Sequence, residues 1–244
     1  MTIRDVYMFL DSFAPFATQL GYDNAGLEVG DFDNPVQTGL LCLDVTADII
    51  AQAQAAGAQL IISHHPVLFA ARKQLPTRDP AYLLAKAGIA ALSAHTNYDA
   101  APGGVSDLLA ARLRLANVVP LSEVVRTGNL ATPIAPADFA AKLAALGWHT
   151  RWCDGGQTIA QAAVCGGGGA GELHCVHGRA QAYVTGDADH HHFLDAQRHG
   201  ISLFACGHFE TEILAMEPLA ARLRAAFPAI GWRMATEKSV VRHA

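Results

Sequence analysis

Five side chains in three short stretches could together do metal chemistry. "LIISHHPVLF" sets His64 and His65 side by side after an apolar run, "SAHTNYDAAPGG" carries Asp99, and "GHFETE" spaces His208 and Glu212 four apart. A four-residue spacing puts the last two on one face if a helix begins there. Neighbours on an extended strand point to opposite faces. Just past a strand end, with Pro66 constraining the backbone, both rings of the doublet can turn toward one cleft. Neutral imidazoles suit Zn, Fe, Ni or Mn. Three imidazoles and two carboxylates are enough for two adjacent divalent ions, with a carboxylate bridging them, and such a pair activates water and clamps phosphate or carbonyl oxygens. Each piece alone has a plainer reading: a hydrogen-bonded histidine, an exposed i,i+4 pair, a turn aspartate. Their convergence at the carboxyl ends of strands favours the metal site.

The elements that must position these residues follow from hydrophobic pattern. "TGLLCLDVT" reads as a strand, "ADIIAQAQAAGA" as a helix and "QLIIS" as a strand, with the near-continuous apolar runs of a buried parallel sheet. Helix "PAYLLAKAG" and strand "IAALSA" follow, ending at "HTNYD". The second half repeats the order: strand "IAQAAVC", helix "GAGELHCVHG", strand "QAYVT", helix "HHHFLDAQRHG" and strand "ISLFAC". Ala58-Gln59 and Ala180-Gln181 open equivalent strands, offset by 122 residues (58 to 180), and Gly88-Ile89 and Gly200-Ile201 do so at an offset of 112 (88 to 200). Two copies of one α/β unit describe this pattern most economically. The expected fold is α/β, with two duplicated halves, mostly parallel sheets and functional loops at the strands' carboxyl ends. The Pro- and Gly-bearing "VVPLSEVVRTGNLATPIAPADFAAKLAALG" is read as the boundary, giving halves 1–125 and 126–244.

Other residues in the same loops could support a metal site. His95 and His191, with His190 and His192 beside it, are candidate proton shuttles or partners of the ligands. In the loop "FAARKQLPTRDP", Arg72, Lys73 and Arg78 are candidate phosphate contacts, against the plainer reading of a solvated loop. "GGGGAG" at 166–171 is either a phosphate cradle or a flexible turn. His149, His174, His177, His199 and His243 are assigned to helix or surface positions without a role.

Composition bounds the function classes. A chain of 244 residues can bury a core without a disulfide or structural metal, and a net charge of −5 with no basic block disfavours nucleic acid. Five cysteines without a C-x-x-C pair fit a reducing compartment, and the chain is expected to be cytoplasmic, with no signal peptide or membrane span.

The motifs "DNAGLEVGD", "ISHHPVLF", "HTNYDAAPGGVSDLLA", "TGD" and "GHFETE" resemble, in order and across nearly the whole chain, the GTP cyclohydrolase 1 type 2 or NGG-interacting-factor-like family. The resemblance implies two divalent ions in a cleft between intertwined halves, held by His64, His65, Asp99, His208 and Glu212, and ring-shaped homohexamers. Asp99 and Glu212 are both candidates for the bridge, and Asp187 with spacing favours His191 as the family's single histidine in that loop. Ser106 stands where many relatives have asparagine. The implied activity is hydrolytic opening of the guanine imidazole ring of GTP. The leading expectation is a metal-dependent hydrolase of a nucleotide-like or heterocyclic small molecule. The rival is a ring-forming metal-binding regulatory or scaffold protein with little catalysis, and a generic phosphoesterase is a third reading.

Overall fold

The computed structural model describes residues 1–242, so the reading of His243 lies outside the described residues. From the amino end come α1 (Ile3–Phe13), β1 (Gly26–Val29), β2 (Thr38–Cys42), α2 (Ala47–Ala56), β3 (Leu60–Ser63), α3 (Pro80–Ala87), β4 (Ala90–Ser93) and α4 (Thr96–Ala100). Then follow α5 (Val105–Arg112), β5 (Ala116–Pro120), β6 (Arg126–Ile134), α6 (Pro136–Ala144), β7 (Arg151–Trp152) and β8 (Ile159–Val164). The remainder is α7 (Leu173–Val176), β9 (Ala182–Thr185), α8 (His190–Arg198), β10 (Ser202–Ala205), α9 (His208–Glu212), α10 (Met216–Ala226) and β11 (Gly231–Met234).

These elements form two compact units, one of residues 1–102 with 215–238, the other of 103–214 with the tail from Ser239. The chain therefore changes unit at 102/103, 214/215 and 238/239, where the sequence reading set one boundary at 125/126. The reason is β11, which comes from the far end of the chain and pairs in parallel with β2, from Gly231 against Thr38 to Met234 against Leu41.

The first unit's sheet runs β1-β4-β3-β2-β11 and is parallel except for β1 on β4. β3 and β4 are buried along their whole length, as central parallel strands covered on both faces must be. Local chemistry sets the helices: Thr46 caps α2 by accepting from the Ile49 amide, and Asp79 caps α3 by accepting from Ala81, with Pro80 opening the helix. α2 buries Ile49, Ile50 and Ala53 in a core shared with Leu40, Ile61 and Ala91.

The second unit's sheet runs β5-β6-β8-β9-β10-β7, and only β8/β9 and β9/β10 are parallel. The expectation of mostly parallel sheets thus holds in the first unit and fails in the second. The segment read as a boundary is itself sheet: β5 and β6 pair antiparallel, and β6 continues antiparallel onto β8. Short connections permit antiparallel neighbours, whereas parallel ones need a crossover. The parallel cores carry the offsets seen in the sequence, since β3 and β9 begin at Leu60 and Ala182 and β4 and β10 at Ala90 and Ser202. In both sheets the chemistry-bearing loops leave the carboxyl ends of these strands.

Candidate metal centre

In the first unit the histidine doublet continues the β2/β3 ladder by two bonds. The His64 amide donates to Cys42 O (3.1 Å) and the His65 amide to Leu43 O (3.0 Å), so the doublet is held like a strand while it turns. Ser63 Oγ donates to His65 O at 2.8 Å, bracing that turn. His64 is buried, and its Nδ1 lies 2.9 Å from Ala94 O. A carbonyl only accepts, so Nδ1 carries the proton and Nε2 offers a lone pair. That Nε2 faces Asp99 Oδ1 at 3.5 Å. His65 Nδ1 lies 2.8 Å from Asp44 Oδ1 and His95 Nδ1 lies 2.8 Å from Asp23 Oδ1. One nitrogen each from His64, His65 and His95 fall within 4.8 Å of one another.

Asp99 and His95 are placed by α4, whose first three residues are buried. Asn97 Oδ1 accepts from the His95 amide (3.0 Å) while its Nδ2 donates to Ala14 O (2.7 Å). Asp23, whose side chain is fully covered, also accepts from the Thr96 amide (3.1 Å) and hydroxyl. Burial pushes the Asp23 carboxyl up, but the bonds from His95 and Thr96 and the charge of His95 outweigh it and hold the group at about 2. Glu28 on β1 accepts from the Leu68 amide at 2.5 Å, fixing the loop after the doublet; burial raises its carboxyl above the usual range.

In the second unit α9 places His208 and Glu212 on one face, as their spacing requires, with His208 Nε2 3.2 Å from Glu212 Oε2. His208 Nδ1 lies 2.8 Å from Asp187 Oδ2. The glycine run forms a turn at 167–168, and it also permits a close approach. Gly167 has φ +57, and a Cβ on it would lie 1.8 Å from Glu212 Oε1 and 2.9 Å from His208 Nε2. Its amide donates to Thr211 Oγ1 (3.0 Å), while its carbonyl accepts from the Gly186 and Asp187 amides (2.9 Å each).

The other expected residues fall as follows. His191 is exposed in the first turn of α8 and its ring lies 4.1 Å from that of His192. The carboxylate on His208 is Asp187. The guanidinium of Arg72 is held by Asp79 and by Val67 O (3.2 Å), so it braces its own loop; Lys73 is exposed. Ser106 is buried and donates to Val124 O at 2.5 Å. Sequence reasoning missed Asp23 and Asp44. Asp44 follows a strand end as His64 does, and that was its only signal.

The donor set fits divalent metal in each unit. Two imidazole nitrogens with their lone pairs toward a carboxylate oxygen, at 3.5 and 3.2 Å, are relieved by a cation between them. The outer nitrogens are engaged by oxygen acceptors, the arrangement that fixes ring orientation in metal-binding histidines. All five cysteines are free thiols, and among the described residues no helix is long and apolar enough to cross a membrane.

The chain is similar to known proteins over most of its length. The chain is 30% identical over 231 residues to a GTP cyclohydrolase 1 type 2 homolog of Campylobacter jejuni, with 92% of each chain covered. It is 32% identical over 252 residues to the protein of the same name from Nostoc, again with 92% of each covered. The crystal structure of the Staphylococcus aureus hypothetical protein SA1388 superposes with a TM-score of 0.90 at 26% identity, covering 100% of this chain and 99% of that one. A Bacillus cereus protein related to NIF3 shares the fold with a TM-score of 0.90 at 20% identity, with 100% and 99% covered. The family model of Duf34/NIF3 (NGG1p interacting factor 3) matches residues 1–243. On that match over nearly its whole length, the chain belongs to the Duf34/NIF3 family.

Proposed function

We propose that this protein is a metal-dependent hydrolase in which His64, His65, Asp99, His208 and Glu212 together hold two divalent ions and act on a nucleotide-like or heterocyclic small molecule. The observation that carries this is the opposition of imidazole nitrogen and carboxylate oxygen in both His64–Asp99 and His208–Glu212, with each ring's other nitrogen already engaged. Bound ions supply Lewis acidity and make a water acidic enough to act near neutral pH. Nitrogen and oxygen donors of this kind accept Zn, Fe, Mn or Ni.

The chain's own residues supply the rest. Asp23 holds His95 Nδ1, which leaves Nε2 to accept a proton. His191, exposed in the first turn of α8, is the second proton carrier. Tyr22 and Phe69 are exposed with ring centroids 6.1 Å apart, and Phe69 lies 6.0 Å from His95, so a flat heterocycle finds apolar faces beside the imidazoles. Lys73 and Arg78, both exposed, are the cations of that loop offered to a phosphate chain, with Arg72 acting through loop shape. The relatives' name supports GTP as the first substrate to test. The recurrent offsets support an internal duplication, and by family resemblance the chain assembles as a ring-shaped homohexamer, which light scattering measures directly.

The test is turnover by chelator-stripped protein reconstituted with each metal, assayed on GTP, phosphoesters and cyclic amides. Activity is expected to require added metal and to fall by roughly a hundredfold in His65→Ala and Glu212→Ala. If no substrate turns over above those two variants, the hydrolase reading fails. The family description names an interaction factor, and that outcome would leave the second reading, a metal-binding regulatory or scaffold protein.

A further inference from the structure

We propose that His177, Asp195 and His199 form a separate site for a divalent transition-metal ion. It lies in the unit built on β9 and β10 but at the other edge of that sheet. His177 closes α7 ahead of the amino end of β9, and His199 closes α8 ahead of the amino end of β10, whereas Asp187 and His208 follow the carboxyl ends of the same two strands. Four-residue strands separate the two edges by roughly 13 Å.

The two imidazoles stack with centroids 3.8 Å apart and planes 14° from parallel. Asp195, one turn before His199, reaches both rings. Its Oδ2 is 3.6 Å from His177 Nε2 and its Oδ1 is 3.5 Å from His199 Nδ1. One atom from each residue lies within 4.8 Å of the others. Ligands about 2.1 Å from a tetrahedral ion lie roughly 3.4 Å apart, so small side-chain rotations close the set.

Two further observations point to a cation. His177 Nε2 is buried and makes no hydrogen bond among the described residues. The carboxyl-terminal end of the nine-residue α8, at which His199 sits, carries the negative pole of its dipole. His199 Nδ1 lies 2.9 Å from the main-chain oxygen of Asp195 and so carries a proton there. The ion takes that proton's place: the proton passes through solvent from Nδ1 to Nε2 of the same ring, Nδ1 gives its lone pair to the metal, and no electron is transferred. All three side chains keep partial exposure, leaving a fourth position for water.

The experiment uses zinc alone as the probe. Protein stripped with chelator is equilibrated with zinc and freed of excess, and bound metal is counted by elemental analysis. His177→Ala and Asp195→Asn are expected to hold one equivalent per chain fewer than wild type, with the remainder unchanged. Equal counts overturn the proposal. Where a variant fails to fold, wild-type crystals equilibrated with low zinc decide, through anomalous diffraction at the zinc edge. A peak between His177, Asp195 and His199 supports the site, and its absence there overturns it. The outcome is independent of catalysis, since none of the three residues belongs to the centre described above.

Discussion

The imidazoles of His64, His65, His95 and His208 each have Nδ1 engaged by an oxygen acceptor. That places the reactive nitrogen of each ring by hydrogen bonding rather than by rotamer alone. Gly167 is as much a part of this chemistry as the donors, because a methyl there would occupy the space of the Glu212 carboxylate. Gly167→Ala is expected to remove the metal held by His208 and Glu212 and to lower stability by about 1–2 kcal/mol, since φ +57 also disfavours a side chain. Metal content and thermal unfolding check this, and unchanged metal content would contradict it. Asp23 offers a pH test. Its carboxyl is lower in the folded chain, about 2, than its ordinary 3.8, so it contributes stability above the ordinary value that is lost as pH falls through about 2. The contribution is on the order of 2 kcal/mol. In chelator, Asp23→Asn is expected to be less stable at neutral pH and to show a shallower loss between about pH 4 and 2 in denaturant titrations. An acid slope equal to wild type would remove Asp23 from this role.

At the scale of the element, short helices at strand ends act as rigid mounts. α9 sets His208 against Glu212, and the Asp187 carboxylate, from the loop after β9, sets the ring. Asp187→Asn is expected to weaken metal affinity by 10- to 100-fold, roughly, with little effect on unfolding in chelator, as titration with a metal indicator would report. β11 is mounted differently, by shape. A Cβ on Gly39 of β2 would lie 2.3 Å from the ring of Trp232, so that indole packs flat on the backbone of its neighbour strand. Gly39→Val is expected to cost about 1–3 kcal/mol by pushing β11 off the sheet, measured by urea unfolding. Stability equal to wild type would show that the strand yields without cost. The near-continuous apolar strands were readable beforehand, because their signal is local.

For the whole molecule, the path of the chain matters more than the order of its motifs. Residues 215–238 belong with residues 1–102, so a chain ending at Leu214 lacks β11 and leaves the β2 edge open. Such a truncation is expected to be recovered as aggregate, and a soluble, cooperatively unfolding product would refute the structural role given to β11. His64→Ala and His208→Ala are each expected to lower the metal content counted by elemental analysis, and an unchanged count would remove that residue from the proposed ligands. The amino-acid order by itself determined which strands are buried and parallel, that histidines and carboxylates gather after their carboxyl ends, and that His208 and Glu212 share a helix face. All of these rest on hydrophobic period and short spacing. Only the tertiary structure decided that Asp44 and Asp23 hold His65 and His95, that Gly167 makes room for Glu212, that β5 and β6 belong to the second sheet, and that the carboxyl-terminal strand returns to the first. These depend on bonds and contacts spanning tens of residues to nearly two hundred, whose partners leave no periodic trace in the chain.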